Sequence, residues 1–248
     1  MKKIILSIAA VALASFMMMA QDINEATELY NNAATALSDG DKASALDSFN
    51  KALEMAKTFG ADGEELVANC KEIIPKVGLS IAKDLIKDEK YDEAVSSLTS
   101  LVELAREYYS EEVVEDATTL IPQVKMQKGN DLLKTNPAEA AAIFKEIVDA
   151  DATNGSAALL LGAALNASGN FDGAAAFEQA AANGQENKAL KQLSTVFLKR
   201  ALASLKTKKF SEAVELALKS NEYLANPQTL QIAGQASQLA GKSNDAIK

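Results

Sequence analysis

One short pattern recurs six times along this chain. Each copy is a turn rich in Gly, Asp, Asn or Lys, often an aromatic residue, then an acidic or polar pair, then Ala and an apolar residue. The copies read Asp39-Gly40-Asp41-Lys42-Ala43-Ser44-Ala45-Leu46, Lys90-Tyr91-Asp92-Glu93-Ala94-Val95, Asn136-Pro137-Ala138-Glu139-Ala140, Gly169-Asn170-Phe171-Asp172-Gly173-Ala174, Lys209-Phe210-Ser211-Glu212-Ala213-Val214 and Gly241-Lys242-Ser243-Asn244-Asp245-Ala246-Ile247. Their key alanines, Ala45, Ala94, Ala140, Ala174, Ala213 and Ala246, stand 49, 46, 34, 39 and 33 residues apart. Apolar residues at spacings of three and four lie on both sides of each turn, as in Leu29, Ala33, Ala36 and Leu37 before the first and Ala45, Phe49, Ala52 and Leu53 after it. A helix, a tight turn and a second helix, iterated in this way, bury their apolar faces only against neighbouring copies.

Composition agrees with an all-α fold. The chain has 248 residues, 48% hydrophobic but only 5% aromatic, with no Trp and few Gly and Pro, which argues against sandwiches and barrels. Alanine at the helix crossings lets two axes approach to the short end of the usual spacing. The absence of His removes Ser-His and Cys-His nucleophile pairs, His-ligated zinc and the usual near-neutral proton shuttle.

With these residues in view, the chain resembles the tetratricopeptide repeat (TPR) family. The unit at 155–188 carries the resemblance best, through Leu161-Gly162 on its first helix, the Gly169-Asn170-Phe171 turn, and Ala174 and Ala181 as close-packing residues on its second. Residues 26–59 match with Leu29, Ala33, Gly40, Ala45, Phe49 and Ala52, and 194–227 with Phe197, Ala201, Phe210, Ala213 and Asn226-Pro227. The resemblance implies a right-handed α-solenoid of about six helix hairpins over residues 21–248, in units near 26–59, 64–110, 112–154, 155–188, 194–227 and an incomplete 228–248.

Two stretches depart from the pattern. The second and third units are long and echo each other at 47 residues, Ile74-Pro75-Lys76-Val77 against Ile121-Pro122-Gln123-Val124. Each proline either starts a new helix or kinks a continuous one. Asp62 and Ser110 are expected to cap the helices that follow them. In the last unit a first helix is expected over about 227–240 and a second from Asp245, which leaves Ile232, Ala233, Leu239 and Ile247 without cover. The array then either continues in a longer protein or docks that end on another molecule, a second copy of itself included.

The N-terminus has the anatomy of a secretory leader: Lys2 and Lys3, an apolar run from Ile4 to Met19, and small Ala20 before Gln21-Asp22. Cleavage after Ala20 and a periplasmic or secreted destination follow, with no membrane-spanning segment in what remains. Residues 1–20 hold two of the 25 basic residues and none of the 34 acids, so the rest carries a net charge of −11 and nucleic acid is excluded as a partner. Cys70 is the single cysteine, on an apolar stripe with Leu66, Val67, Ile73 and Ile74, and reads as a small buried thiol.

The resemblance implies that ligands, extended peptides or another protein's helix, lie along exposed positions of the first helix of each hairpin. Those positions are Lys76, Leu79, Lys83, Ile86 and Lys87 in the second unit, and Gln123, Met126, Asn130, Leu133 and Lys134 in the third, a locally basic and partly apolar strip. Family members that clamp a terminal carboxylate use Lys and Asn on these faces, and Lys83 and Asn130 take comparable places, but the first unit offers Tyr30 and Ala34 instead. Gln228, Gln231, Gln235 and Gln238 place four amides on one side of the last helix, able to read a peptide backbone or a glycan.

Catalysis is the competing class. Carboxylate pairs such as Glu64-Glu65 and Glu111-Glu112 could hydrolyse glycosides without His, yet each sits where acids favour the positive end of a helix dipole. Asp149 and Asp151 read as a loop rather than a calcium site, and no phosphate loop or nucleotide fingerprint occurs. The expectation is a non-catalytic, cofactor-free protein-interaction scaffold of the bacterial envelope, with a structural element self-associating through its C-terminal end, or a cell-wall glycan-binding or glycan-hydrolysing protein, as alternatives.

Overall fold

The computed structural model describes residues 23–169 and 173–245, with side chains as far as Gly241. The leader at 1–20, residues 170–172 of the fourth turn, and Ala246 and Ile247 of the last repeat lie outside the described residues. Within them all regular structure is helical: α1 Ile23–Ser38, α2 Lys42–Lys57, α3 Glu64–Lys87, α4 Tyr91–Glu107, α5 Glu111–Leu132, α6 Pro137–Ala150, α7 Gly155–Ala167, α8 Gly173–Ala180, α9 Glu186–Lys206, α10 Phe210–Tyr223 and α11 Pro227–Asp245. A short 3-10 turn, Gly60–Gly63, precedes α3, and a wide turn over Ala181–Gln185 breaks the chain between α8 and α9, with Gly184 at φ 83°.

The helices follow from the local chemistry. Asp41, Asn136 and Asn154 cap α2, α6 and α7 by accepting the backbone N–H of Ser44, Glu139 and Ala157 respectively, three residues on. Four three-residue turns share one C-terminal stop. Their middle residues, Gly40, Glu89, Tyr109 and Lys208, take φ of 87°, 59°, 58° and 61°. The next N–H then returns to a carbonyl five residues back, Asp41 to Ala36 at 2.9 Å, Lys90 to Leu85 at 2.9 Å, Ser110 to Ala105 at 2.8 Å and Lys209 to Ser204 at 2.9 Å. Orphan carbonyls of the helix end are satisfied this way.

The chain divides into two compact units, Met1–Val124 and Lys125–Lys248. In the first, α1 packs on α2, α2 on α3 and α3 on α4. Its core forms around Phe49, Leu53, Ile74 and Val77, and around Leu98, Leu101, Val113 and Val124. In the second, α6 to α11 each pack on the next helix in sequence. Phe144, Phe177, Leu193 and Phe197 dominate its core, and a smaller cluster holds Ala201, Ala217, Ile232 and Ala233.

The hairpin seams are lined by small residues. Ala45, Ala94, Ala140 and Ala213 are fully buried, as are Ala33, Ala82 and Ala201 twelve residues before three of them. In the fourth hairpin the expected Ala174 is only half-buried. Gly173 takes the seam instead, with Phe177 four and Ala180 seven residues on, as Phe49 and Ala52 follow Ala45. The reason is contact: a Cβ on Gly173 would lie 2.7 Å from the carbonyl oxygen of Gly162, so only glycine fits.

Of the two readings open at Pro75 and Pro122 the continuous helix holds: they lie inside the 24-residue α3 and the 22-residue α5, so the long repeats come from longer first helices. Three further expectations are corrected. Asp62 does not cap α3; the N-cap is Gly63, where a Cβ would come 2.0 Å from the carbonyl oxygen of Ala56. And α11 runs through Gly241 to Asp245 with no turn at 241–244. Ile232 and Ala233, expected to lack cover, are 6% and 7% exposed because α9 and α10 supply Ala201, Ala217 and the half-buried Leu198 and Leu216 against them.

Candidate interaction surface

On α3, Lys76, Lys83 and Lys87 are separated by seven and four residues, which at 3.6 residues per turn brings them onto one exposed face. Glu72 shares it. The Lys76 ammonium donates to Glu72 at 2.8 Å, and this bond holds the Glu72 carboxyl below its ordinary range and raises Lys76, which also feels the charge of Glu112. Lys83 reaches across to α5 and donates to Asp116 Oδ2 at 3.2 Å. Both partners of that pair are about half exposed, 51% and 49% by side chain. Gln123, seven residues beyond Asp116 on α5, is exposed.

The strip is thus not an unbroken positive surface. Lys76 and Lys83 each face an acid, and a second link ties Lys42 on α2 to Asp84 on α3. Nor is it apolar. Leu79, expected on the exposed strip, is 8% exposed and packs with Ala82, Leu98 and Leu101, and Ile86 is half-buried in the same core. An α3 residue three positions from Lys76 sits some 60° around the helix, far enough to fall onto the face that α4 covers.

The second unit holds the remaining candidates. Met126 and Leu133 turn their side chains partly into the core beside Phe144. Asn130 is exposed, and Lys134 is exposed in the turn between α5 and α6. Here too cations face acids across a hairpin, with Lys125 donating to Glu146 at 2.9 Å and Lys128 3.6 Å from Glu139. Gln228, Gln231, Gln235 and Gln238 are exposed on α11, five helices further along. What the structure brings together is therefore the triad Lys76, Lys83 and Lys87 with Glu72, Glu112 and Asp116. Asp116 was missed by sequence reasoning because a 33-residue separation from Lys83 carries no periodic signal, whereas Glu72, four residues before Lys76 on the same helix, was readable from the helical spacing.

Elsewhere the polar chemistry is structural. Ser220 on α10 donates to the carbonyl of Ser194 on α9 at 2.7 Å, which leaves the Ser194 hydroxyl to donate to Ser220 Oγ at 3.1 Å. Tyr223 stacks on Phe197 at 5.5 Å between ring centroids, and its hydroxyl donates to Glu178 at 2.7 Å; burial and that carboxylate push its pKa up to about 12. Burial alone raises the Cys70 thiol to about 11. Among the described residues no group of three or more His, Cys, Asp or Glu could hold a metal ion, and no helix is long and apolar enough to cross a membrane.

No family model and no curated protein matches the chain. Solved structures do, several of them of tetratricopeptide proteins. The crystal structure of MamA aligns over 70% of this chain and 86% of its own, at 16% identity and a TM-score of 0.36. The TPR2AB domain of yeast Sti1, solved in complex with pHSP90, aligns over 91% and 86% at 18% identity and a TM-score of 0.32. YrrB, described as a TPR protein with an unusual peptide-binding site, aligns over 89% and 100% at 16% identity and a TM-score of 0.32. At scores of this size no residue of theirs is carried onto this chain.

Proposed function

We propose that this chain is a non-catalytic protein-interaction scaffold of the tetratricopeptide type, exported to the bacterial envelope, that holds a peptide or protein segment along the exposed face of α3. The observation that supports it is the Lys83–Asp116 bridge. It sets the polar faces of the first helices of two successive hairpins side by side, while the apolar residues of both helices are spent on the core. A surface of this kind offers charged hydrogen-bond donors without a reactive group.

Exchange is the physical mechanism. Ion pairs this exposed contribute little to stability, so a ligand carboxylate can replace Asp116 on Lys83, or Glu72 on Lys76, at little cost. Each contact is modest and screened by salt, with affinity accumulating along the α3 face. An acidic segment gains most, because its carboxylates can take the places of Glu72 and Asp116 on Lys76 and Lys83.

Fluorescence anisotropy with short acidic peptides, against their amidated and basic counterparts, tests the reading. Acidic peptides are expected to bind, more weakly as salt rises, and Lys76→Glu with Lys83→Glu and Lys87→Glu should weaken them by about tenfold or more. Equal affinity for basic peptides, or no effect of the triple change, would count against an α3 site. For the exported location, the protein recovered from the periplasm should begin at Gln21; an intact Met1 in the cytosol would oppose it.

A further inference from the structure

Four of the five most exposed large apolar side chains among the described residues lie within 22 residues of one another: Leu218, Leu224, Leu230 and Leu239, with Tyr109 the fifth. Around them the chain loses its charge. From Tyr223 to Gly241 there is no Asp, Glu, Lys or Arg, in a protein that is 24% charged.

The repeat itself says what such a face meets. Leu230, Gly234 and Ser237 on α11 stand 33 residues after Phe197, Ala201 and Ser204 on α9. Those three are 4%, 0% and 8% exposed, covered in part by Ala217 and Tyr223 of α10. On α11 the same positions are exposed, Leu230 to 52%, while Thr229, Ile232, Ala233 and Ala236 are buried against the preceding helices. Among the described residues α11 is packed on one side and exposes the side that α9 gives to α10.

We propose that this face pairs with its own copy, two α11 helices lying antiparallel across a twofold axis. Four residues, Leu230, Gly234, Ser237 and Gly241, share the face at helical spacings of four, three and four. Run antiparallel, that order is its own complement: Leu230 meets Gly241 of the other copy and Gly234 meets Ser237. Both glycines have open space where a Cβ would stand, so each Leu230 has a place to seat and the axes can come close. Charge selects the occupant. Two copies of net charge −9 repel wherever acids face each other, and the uncharged α11 side is where they can touch without that cost. A twofold contact needs a self-complementary patch of this kind. One helix pair buries less than a standard interface of about 1,200–2,000 Å², so the dimer is weak and reversible, in the micromolar range.

Sedimentation velocity of the full chain over the micromolar range, beside Gly234→Glu, tests the pairing. The parent is expected to show a monomer–dimer equilibrium, and the glutamate, set at the centre of the contact, to raise its dissociation constant by about tenfold or more. The variant should melt no lower than the parent, since Glu is the better helix former and meets no neighbour, which separates lost pairing from lost fold. Association through any other part of the chain, residues 4–19 included, is untouched by this change. Oxidation of Gly234→Cys chains mixed with Ser237→Cys chains should give several-fold more disulfide dimer than either alone, with Cys70 buried and silent. A parent that stays monomeric, a dimer that Gly234→Glu leaves intact, or equal crosslinking of the mixture and the single chains would overturn the proposal.

Discussion

Gly162 on α7 lies beneath the ring of Phe177 on α8, so close that a Cβ there would stand 2.7 Å from both Cδ1 and Cε1 of the phenylalanine. The same arrangement recurs one hairpin earlier, with Gly129 against Phe144 at 2.6 Å. A small residue on the first helix and a large one on the second are thus a repeated unit of the seam.

That relationship sets the sign of a glycine series. Gly162→Ala and Gly129→Ala should each destabilise the protein by about 1–3 kcal/mol, because the ring is walled in and overpacking outweighs the better helix propensity. Gly234→Ala, in open space on α11, should stabilise by about 0.5–1 kcal/mol. Urea unfolding of the three variants checks it; a shift of one sign for all three would deny the packed seam.

The left-handed turns give a second test. Glu89 and Lys208 hold φ near 60°, a conformation that costs a side-chain-bearing residue about 1–2 kcal/mol. Glu89→Gly and Lys208→Gly should therefore raise stability by about 1 kcal/mol, and Gly40→Ala should lower it by a similar amount. Thermal melts of the three variants provide the measurement.

Much of this seam is legible in the sequence, and the places where it is not are specific. Ala45, Ala94, Ala140 and Ala213 announce themselves by a turn four or five residues earlier, and all four are buried. In Gly173-Ala174 two small residues stand side by side and either satisfies the pattern; only the nearness of the Gly162 carbonyl selects the glycine. Gly241 reads as a turn because glycine ends helices more often than it continues them, yet α11 runs on through it. The candidate site was legible as a lysine face on α3 but not as a set of ion pairs, since Lys83 and Asp116 meet only once α3 and α5 are placed.

Ser194 and Ser220 form a buried pair in which the Ser220 hydroxyl donates to the Ser194 carbonyl and accepts from the Ser194 hydroxyl. Ser220→Ala should cost about 1–3 kcal/mol by stranding the Ser194 hydroxyl and carbonyl, while the double change to Ala should cost less than the sum of the single ones. A double-mutant cycle by chemical denaturation reads the coupling; strict additivity would mean that the hydroxyls do not interact.

Alkaline pH should weaken the fold through Cys70. Its thiol is raised from an ordinary value of 9.0 to about 11 by burial, so the folded state favours the neutral form. The stability this contributes is complete below pH 9 and is lost as pH climbs toward 11, because the unfolded chain releases the proton first. Unfolding free energies at pH 8 and pH 10.5 should differ less in Cys70→Ala than in the parent. At neutral pH the thiol should resist alkylation until the protein unfolds.

The most direct measurement of the scaffold reading is in-cell photocrosslinking from α3, with a photoreactive residue in place of Lys83 and the products identified by mass spectrometry. The account predicts one dominant protein partner, captured from Lys83 and lost when Lys76 and Lys87 are changed to Glu. Crosslinks only to other copies of the chain, or a partner whose capture ignores those two lysines, would contradict it.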